Sequence, residues 1–248
     1  MKKQLLTALI LTLFFASSFH AESTPQDADL PRVLIIGDSI SMAYTAPVAE
    51  MLKEVAAVEH HEGNAQHTGT GLKKIDQWIG ETQWDVIHFN WGLWDLCYRH
   101  PKSKVQGKRD KVNGTLTTPI DVYEKNLDQL VTRLKQTSAK LIWAHTTVVP
   151  EKEAGRFAGD GKKYNAAATR VMNKHKISIN DLHTLTAGFP AELFVKPGDV
   201  HYTPAGSKKI ARQVANAMLQ SLGHKPVTES EPKENSECCK GPASHITR

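Results

Sequence analysis

Residues 33–41 read Val-Leu-Ile-Ile-Gly-Asp-Ser-Ile-Ser. Four apolar residues, Val33 to Ile36, stop abruptly at a glycine, an aspartate and a serine. The run does not alternate, so it reads as a strand buried on both faces, as strands inside a parallel sheet are. Gly37 allows a turn that a side chain would obstruct. Ser39 then stands where a strand ends and a helix begins. Open parallel sheets bind ligands beyond that end of their strands, and the free N–H groups of a helix start favour negative charge. Two readings fit Ser39: an N-capping serine, or a nucleophile whose oxyanion is held by neighbouring backbone N–H groups.

Working outward, apolar periodicity predicts helices over 42–54, 71–79, 121–135, 162–174 and 203–222. The clearest has Leu127, Leu130, Val131 and Leu134 on one face, with Asp121 as its expected N-cap. The last is expected to be capped by Thr203, with Pro204 in its first turn. Buried strands are predicted over 84–89, 139–145 and 177–182. Strands alternating with helices argue for an α/β fold, a parallel sheet covered on both faces.

The chain has 248 residues, 40% of them apolar, enough for one sizeable core. Lys2 and Lys3 precede a nearly unbroken apolar run from Leu5 to Ala16. Ala16 and Ser18 have the spacing of a processing site, with Ala21 an alternative end. Segment 1–21 thus reads as a secretory signal, too short in its apolar part for a membrane span, and the chain is expected to be exported to the periplasm or outside the cell. Residues 22–30 read as a polar linker, 31–223 as one domain, and the Lys-, Glu-, Pro- and Ser-rich stretch 224–248 as a disordered tail.

Formal net charge is +5, and much of it is local: residues 99–111 carry six Lys and Arg against one acid. No nucleic-acid-reading module accompanies this stretch, so nucleic acid is not an expected partner. An anionic polysaccharide or a solvated loop fits it better. Cys97, Cys238 and Cys239 form neither a disulfide framework nor a zinc pattern, and no metal or cofactor is expected.

A serine nucleophile needs a base. His201, in the turn-rich segment PGDVHYTPAG ahead of the last helix, is the strongest candidate, with Asp199 two residues away to hold its tautomer. Asp181 is an alternative carboxylate. His145 ends a strand and could line the cleft, whereas His88 lies between Ile87 and Phe89 and reads as structural. A third cluster, FNWGLWDL at 89–96, offers Asn90 and the Gly92 backbone N–H to an oxyanion. Trp91 and Trp94 read either as core or as surfaces for a sugar ring.

Together the three clusters resemble the SGNH hydrolase superfamily, the GDSL-type esterases, and within it an exported bacterial subgroup. The resemblance runs over most of 31–223. It implies a three-layer, flavodoxin-like parallel sheet with helices on both faces, Gly37-Asp38-Ser39 as the nucleophile block, and Asp199 with His201 as the block carrying the base. Two departures stand out. Asp199 precedes His201 by two residues where the family has three, and Trp94 occupies the position of the family's Gly-x-Asn-Asp asparagine. The family's second oxyanion block falls at 63–71, where Gly63, Asn64, Ala65 and Gly69 compete. The reaction implied is hydrolysis of an O-acyl ester, O-acetyl foremost, on a small molecule or polysaccharide, through an acyl-Ser39 intermediate and without a metal. Other readings are a carbohydrate-binding protein without activity, a lipid esterase, and a phosphate- or sulfate-ester hydrolase in which Arg99, Lys102 and His145 crowd the serine.

Overall fold

The computed structural model describes residues 30–226. The segment 1–21, nearly all of the linker and most of the tail, with Cys238 and Cys239, lie outside the described residues. In chain order the chain forms β1 (Arg32–Ile36), α1 (Ser39–Leu52), β2 (Ala57–His60), α2 (Thr68–Ile79), β3 (Val86–Phe89), β4 (Tyr98–Arg99), β5 (Thr115–Leu116), α3 (Ile120–Leu134), β6 (Lys140–Ala144), α4 (Asp160–His175), β7 (Ser178–Asn180), α5 (Leu182–Ala187) and α6 (Pro204–Leu222).

The main sheet has five strands in the order β2-β1-β3-β6-β7. Every pairing is parallel, with Val33 opposite both Val58 and Val86. Helix α1 packs on α6, while α2, α3 and α4 pack in a row. This is the three-layer arrangement the sequence predicts. The apolar run of β1 lies inside the sheet between β2 and β3, with Val33 to Ile36 all buried. After β2 the chain crosses to the other side of β1, so the strand order reverses between β1 and β3. Such a reversal opens a crevice at the carboxyl ends of the strands, and Ser39 follows β1 into it.

Local departures have local causes. Asp38 caps α1, its side chain accepting from the Ile40 N–H, so the helix begins at Ser39 and runs through Pro47. The edge strand β2 is absent from the sequence reading because it is half-exposed and carries Glu59 between Val58 and His60. Asp121 is not an N-cap: Pro119 occupies that position without a side-chain bond, and Asp121 lies in the first turn of α3. Thr203 does cap α6, accepting from the Gly206 N–H, with Pro204 beginning the helix. Cys97 is a buried free thiol. Among the described residues no helix is long and apolar enough to cross a membrane.

Candidate active site

Ser39 is the first residue of α1, and its Oγ lies 2.9 Å from His201 Nε2. His201 Nδ1 lies 2.6 Å from Asp199 Oδ1. That same carboxylate oxygen accepts the His201 backbone N–H at 3.0 Å, so the two-residue spacing closes through a tight turn. A carboxylate at Nδ1 holds the proton there and leaves Nε2 free to accept from the serine hydroxyl. Burial pushes the Asp199 carboxyl up, but hydrogen bonds from His201 and the positive charges of His201 and Arg109 outweigh it, and the net shift is downward. Asp181 is not part of this chain; it caps α5 and contacts His145 instead.

Ser39, Asp199 and His201 line a cavity of about 350 Å³ together with Asn64 and Trp94. The first N–H groups of a helix lack acceptors within it. In α1 the Ile40 N–H is taken by Asp38 Oδ1 and the Met42 N–H by the Asp38 carbonyl, while the N–H of Ser39, itself a cavity residue, has no acceptor among the described residues. Asn64 is fixed in orientation because its Oδ1 accepts the Gln66 N–H at 2.8 Å, and its Nδ2 has no acceptor among the described residues. The loop is hooked to the end of β1: the Gly37 carbonyl accepts both the Ala65 N–H and His61 Nε2, each at 2.9 Å. Gln66 takes a left-handed backbone, φ 52°, to make this turn. The arrangement can polarise a hydroxyl and offer two N–H groups to the charge that develops when it attacks a carbonyl.

Six sequence candidates do not reach this cavity. Asn90 donates its amide to the Ala144 carbonyl at 2.7 Å and lies 3.4 Å from Thr146 Oγ1, tying the end of β3 to β6. Gly92 is buried against Thr146, whose Oγ1 lies 1.9 Å from where a Cβ would stand. Gly63 only shapes the turn, at φ 77° with open space around it. His145 bonds Asp181 Oδ1 at 3.2 Å and Thr169 Oγ1 at 3.0 Å, and faces a separate small cleft beside Asn90 and Ser41. Gly69 spends its N–H on His67 Nδ1, and Ala65 spends its own on Gly37.

The tryptophans divide. Trp91 is buried under Gly71, its Nε1 donating to the Ala65 carbonyl, while Trp94 stands half-exposed on the cavity wall. His88 is buried with its Nε2 against Asn180 Nδ2, and burial lowers its pKa to about 3, as a structural histidine requires.

Sequence reasoning missed Arg109 and Arg156 as cavity residues, and Glu153 behind them. Arg156 is buried, its Nε donating to the Leu93 carbonyl at 2.6 Å. The fully buried Glu153 carboxylate accepts from Arg109 at 2.7 Å and Arg156 at 2.9 Å. Those residues sit in irregular connections, where no periodicity marks a partner.

No protein-family model matches the sequence, and no curated protein matches it. Solved structures do match the fold. A lipase/acylhydrolase from Enterococcus faecalis superposes with a TM-score of 0.63 at 16% identity, over 80% of this chain and 100% of that one. An acetyl xylan esterase from Geobacillus stearothermophilus gives 0.60 at 16%, over 80% and 97%. A GDSL-like lipase from Bacteroides thetaiotaomicron gives 0.57 at 14%, over 77% and 89%. The chain has the fold of the SGNH, or GDSL-type, hydrolases.

Proposed function

We propose that this chain is a serine esterase that hydrolyses short O-acyl esters, O-acetyl above all, carried on a saccharide. The observation that carries the reading is the continuous contact from Ser39 Oγ to His201 Nε2, 2.9 Å, and from His201 Nδ1 to Asp199 Oδ1, 2.6 Å, on the wall of one cavity. His201 accepts the Ser39 proton as Oγ attacks the acyl carbon. The Ser39 N–H and Asn64 Nδ2–H hold the tetrahedral oxyanion. His201 then gives its proton to the departing alcohol oxygen. In the second half it deprotonates water, which attacks the acyl-serine; the proton returns to Ser39 Oγ and the carboxylic acid departs.

The cavity wall supports a short acyl group. Leu93 and Val200 supply little aliphatic surface among charged and polar side chains, and a long acyl chain there would strand buried polar groups without water. The acetyl xylan esterases among the structural neighbours, and the half-exposed Trp94 on the cavity wall, support a saccharide as the alcohol.

The test is kcat/KM on aryl esters from acetate to decanoate, for wild type and Ser39→Ala. The reading expects turnover highest at acetate and loss of at least about 10³-fold in the variant. A maximum at long chains would replace the saccharide with a lipid. Turnover that survives in Ser39→Ala would remove the serine mechanism.

A further inference from the structure

The cavity wall holds three guanidinium groups, Arg99, Arg109 and Arg156, and only two of them have a carboxylate partner. One shared acid, Glu153, serves Arg109 and Arg156. Asp199 is engaged by His201, and Asp38 by the start of α1. Arg99 forms no ion pair among the described residues. It is nonetheless held in place: the guanidinium lies 4.3 Å from the centre of the Trp94 ring, and one arm donates to the Gly107 carbonyl. The loop that carries it is laced by backbone bonds, His100 to Lys108 at 2.8 Å and Asp110 to Tyr98 at 3.0 Å.

Arg99 is half-buried on the cavity wall, with its guanidinium held against one ring and one carbonyl. Partial burial lowers its pKa below the usual guanidinium value, and the charges of Arg156 and Arg109 add to this while Cys97 and Glu153 oppose it. A half-buried guanidinium with two like charges beside it is favoured by an anionic partner. Of its five N–H donors one is spent on Gly107. The others remain available in a planar fork that matches a two-oxygen anion.

We infer that the substrate is acidic: the alcohol portion of the ester carries an oxyanion, a carboxylate or a sulfate on the sugar, which Arg99 binds on Trp94 while Ser39 attacks the neighbouring acyl group. The position of the acyl group rests on the esterase reading; the anion site does not. Trp94, standing where the resembling family has an asparagine, then has a role of its own as the platform under Arg99. A neutral acetylated saccharide is a poor substrate by comparison.

The experiment uses the full chain and four mono-O-acetylated methyl glycosides: the galacturonide, its C6 methyl ester, the galactoside, and the galactoside 6-sulfate. Wild type is expected to show kcat/KM about tenfold or more higher for an anionic glycoside than for the methyl ester, which keeps the shape and removes the charge. That advantage should shrink with added salt and disappear in Arg99→Gln. Arg99→Lys, with the charge but not the fork, should keep only part of it. Lys102→Gln, whose side chain is outside the cavity, should keep all of it. Preference for the galacturonide assigns a carboxylate and preference for the 6-sulfate assigns a sulfate; both support the inference. Equal rates on the galacturonide, the sulfate and the methyl ester overturn it, as does a preference that persists in folded Arg99→Gln. If no ester is hydrolysed, the esterase reading has failed by itself, and the anion site is judged by binding. Oligogalacturonate should then bind more tightly than neutral galacto-oligosaccharide, with quenching of tryptophan fluorescence, and equal binding overturns the inference.

Discussion

Asp199 reaches His201 Nδ1 only because the chain doubles back between them, one oxygen accepting both the ring and the backbone N–H. An amide in its place can still receive the backbone bond but carries no charge to support the imidazolium. Asp199→Asn should therefore lower kcat about 10³–10⁴-fold and lose the modest stability that the ionised carboxyl contributes at neutral pH, measured as aryl acetate turnover beside a melting curve. The two asparagines separate in the same way. Asn64, with a free Nδ2 on the cavity, should cost about 10²–10³-fold in kcat when changed to alanine. Asn90→Ala should instead cost about 1–2 kcal/mol of stability through its lost bond to the Ala144 carbonyl, seen as a lower denaturation midpoint. Equal rate losses in both variants would return Asn90 to the oxyanion. Ser39, Asp199 and His201 were legible in the sequence because strand-end and helix-start signals mark where side chains enter the crevice. That Asn64 and not Asn90 lines the cavity was not legible. It depends on the Gly37 carbonyl gripping the 61–65 loop from across the fold, a contact that leaves no local pattern.

At the scale of elements, periodicity located β1, β3, β6 and all the long helices, because each buries a continuous apolar face. It failed on β2 and α5, which are short and mixed in polarity. It also failed on the loop after β6, where Glu153 and Arg156 close the cavity from behind. That loop is held by charge rather than apolar burial. Glu153→Gln leaves two guanidinium groups with a neutral partner, and should destabilise the protein by about 3–5 kcal/mol, read from urea denaturation. The junction of β3 with the following loop is equally intolerant. A methyl group at Gly92 would stand 1.9 Å from Thr146 Oγ1, so Gly92→Ala should cost about 1–3 kcal/mol through a shift of β6 against the loop. A denaturation midpoint unchanged from wild type would contradict that close approach.

Across the whole molecule, the crevice side of the sheet is braced by one buried acid. Asp95 lies after β3, and its Oδ1 accepts the backbone N–H of Thr68 at 2.9 Å and its hydroxyl at 2.6 Å. Thr68 in turn receives Asn126 from α3, and the Asp95 carbonyl receives the Thr118 N–H. Three parts of the fold therefore meet at this residue. The Thr118 side chain also interacts with this carboxyl. Burial outweighs the hydrogen bonds from Thr68 and Thr118 and pushes the carboxyl up from 3.8 to about 7. The folded protein then holds this proton where the unfolded chain has released it, so stability falls as pH rises from about 4 to about 7 and levels off above. Asp199 acts in the opposite sense: its lowered pKa contributes stability above the ordinary carboxylate range that fades in acid. The Asp95 contribution can be isolated, because asparagine keeps the Oδ1 acceptor for Thr68 and does not ionise. Asp95→Asn should melt close to wild type at pH 4 and progressively above it toward pH 7, with a constant gap beyond. A gap of the same size at every pH would mean that Asp95 is ionised throughout in the folded protein, and that the brace is an anion held by Thr68 rather than a shared proton.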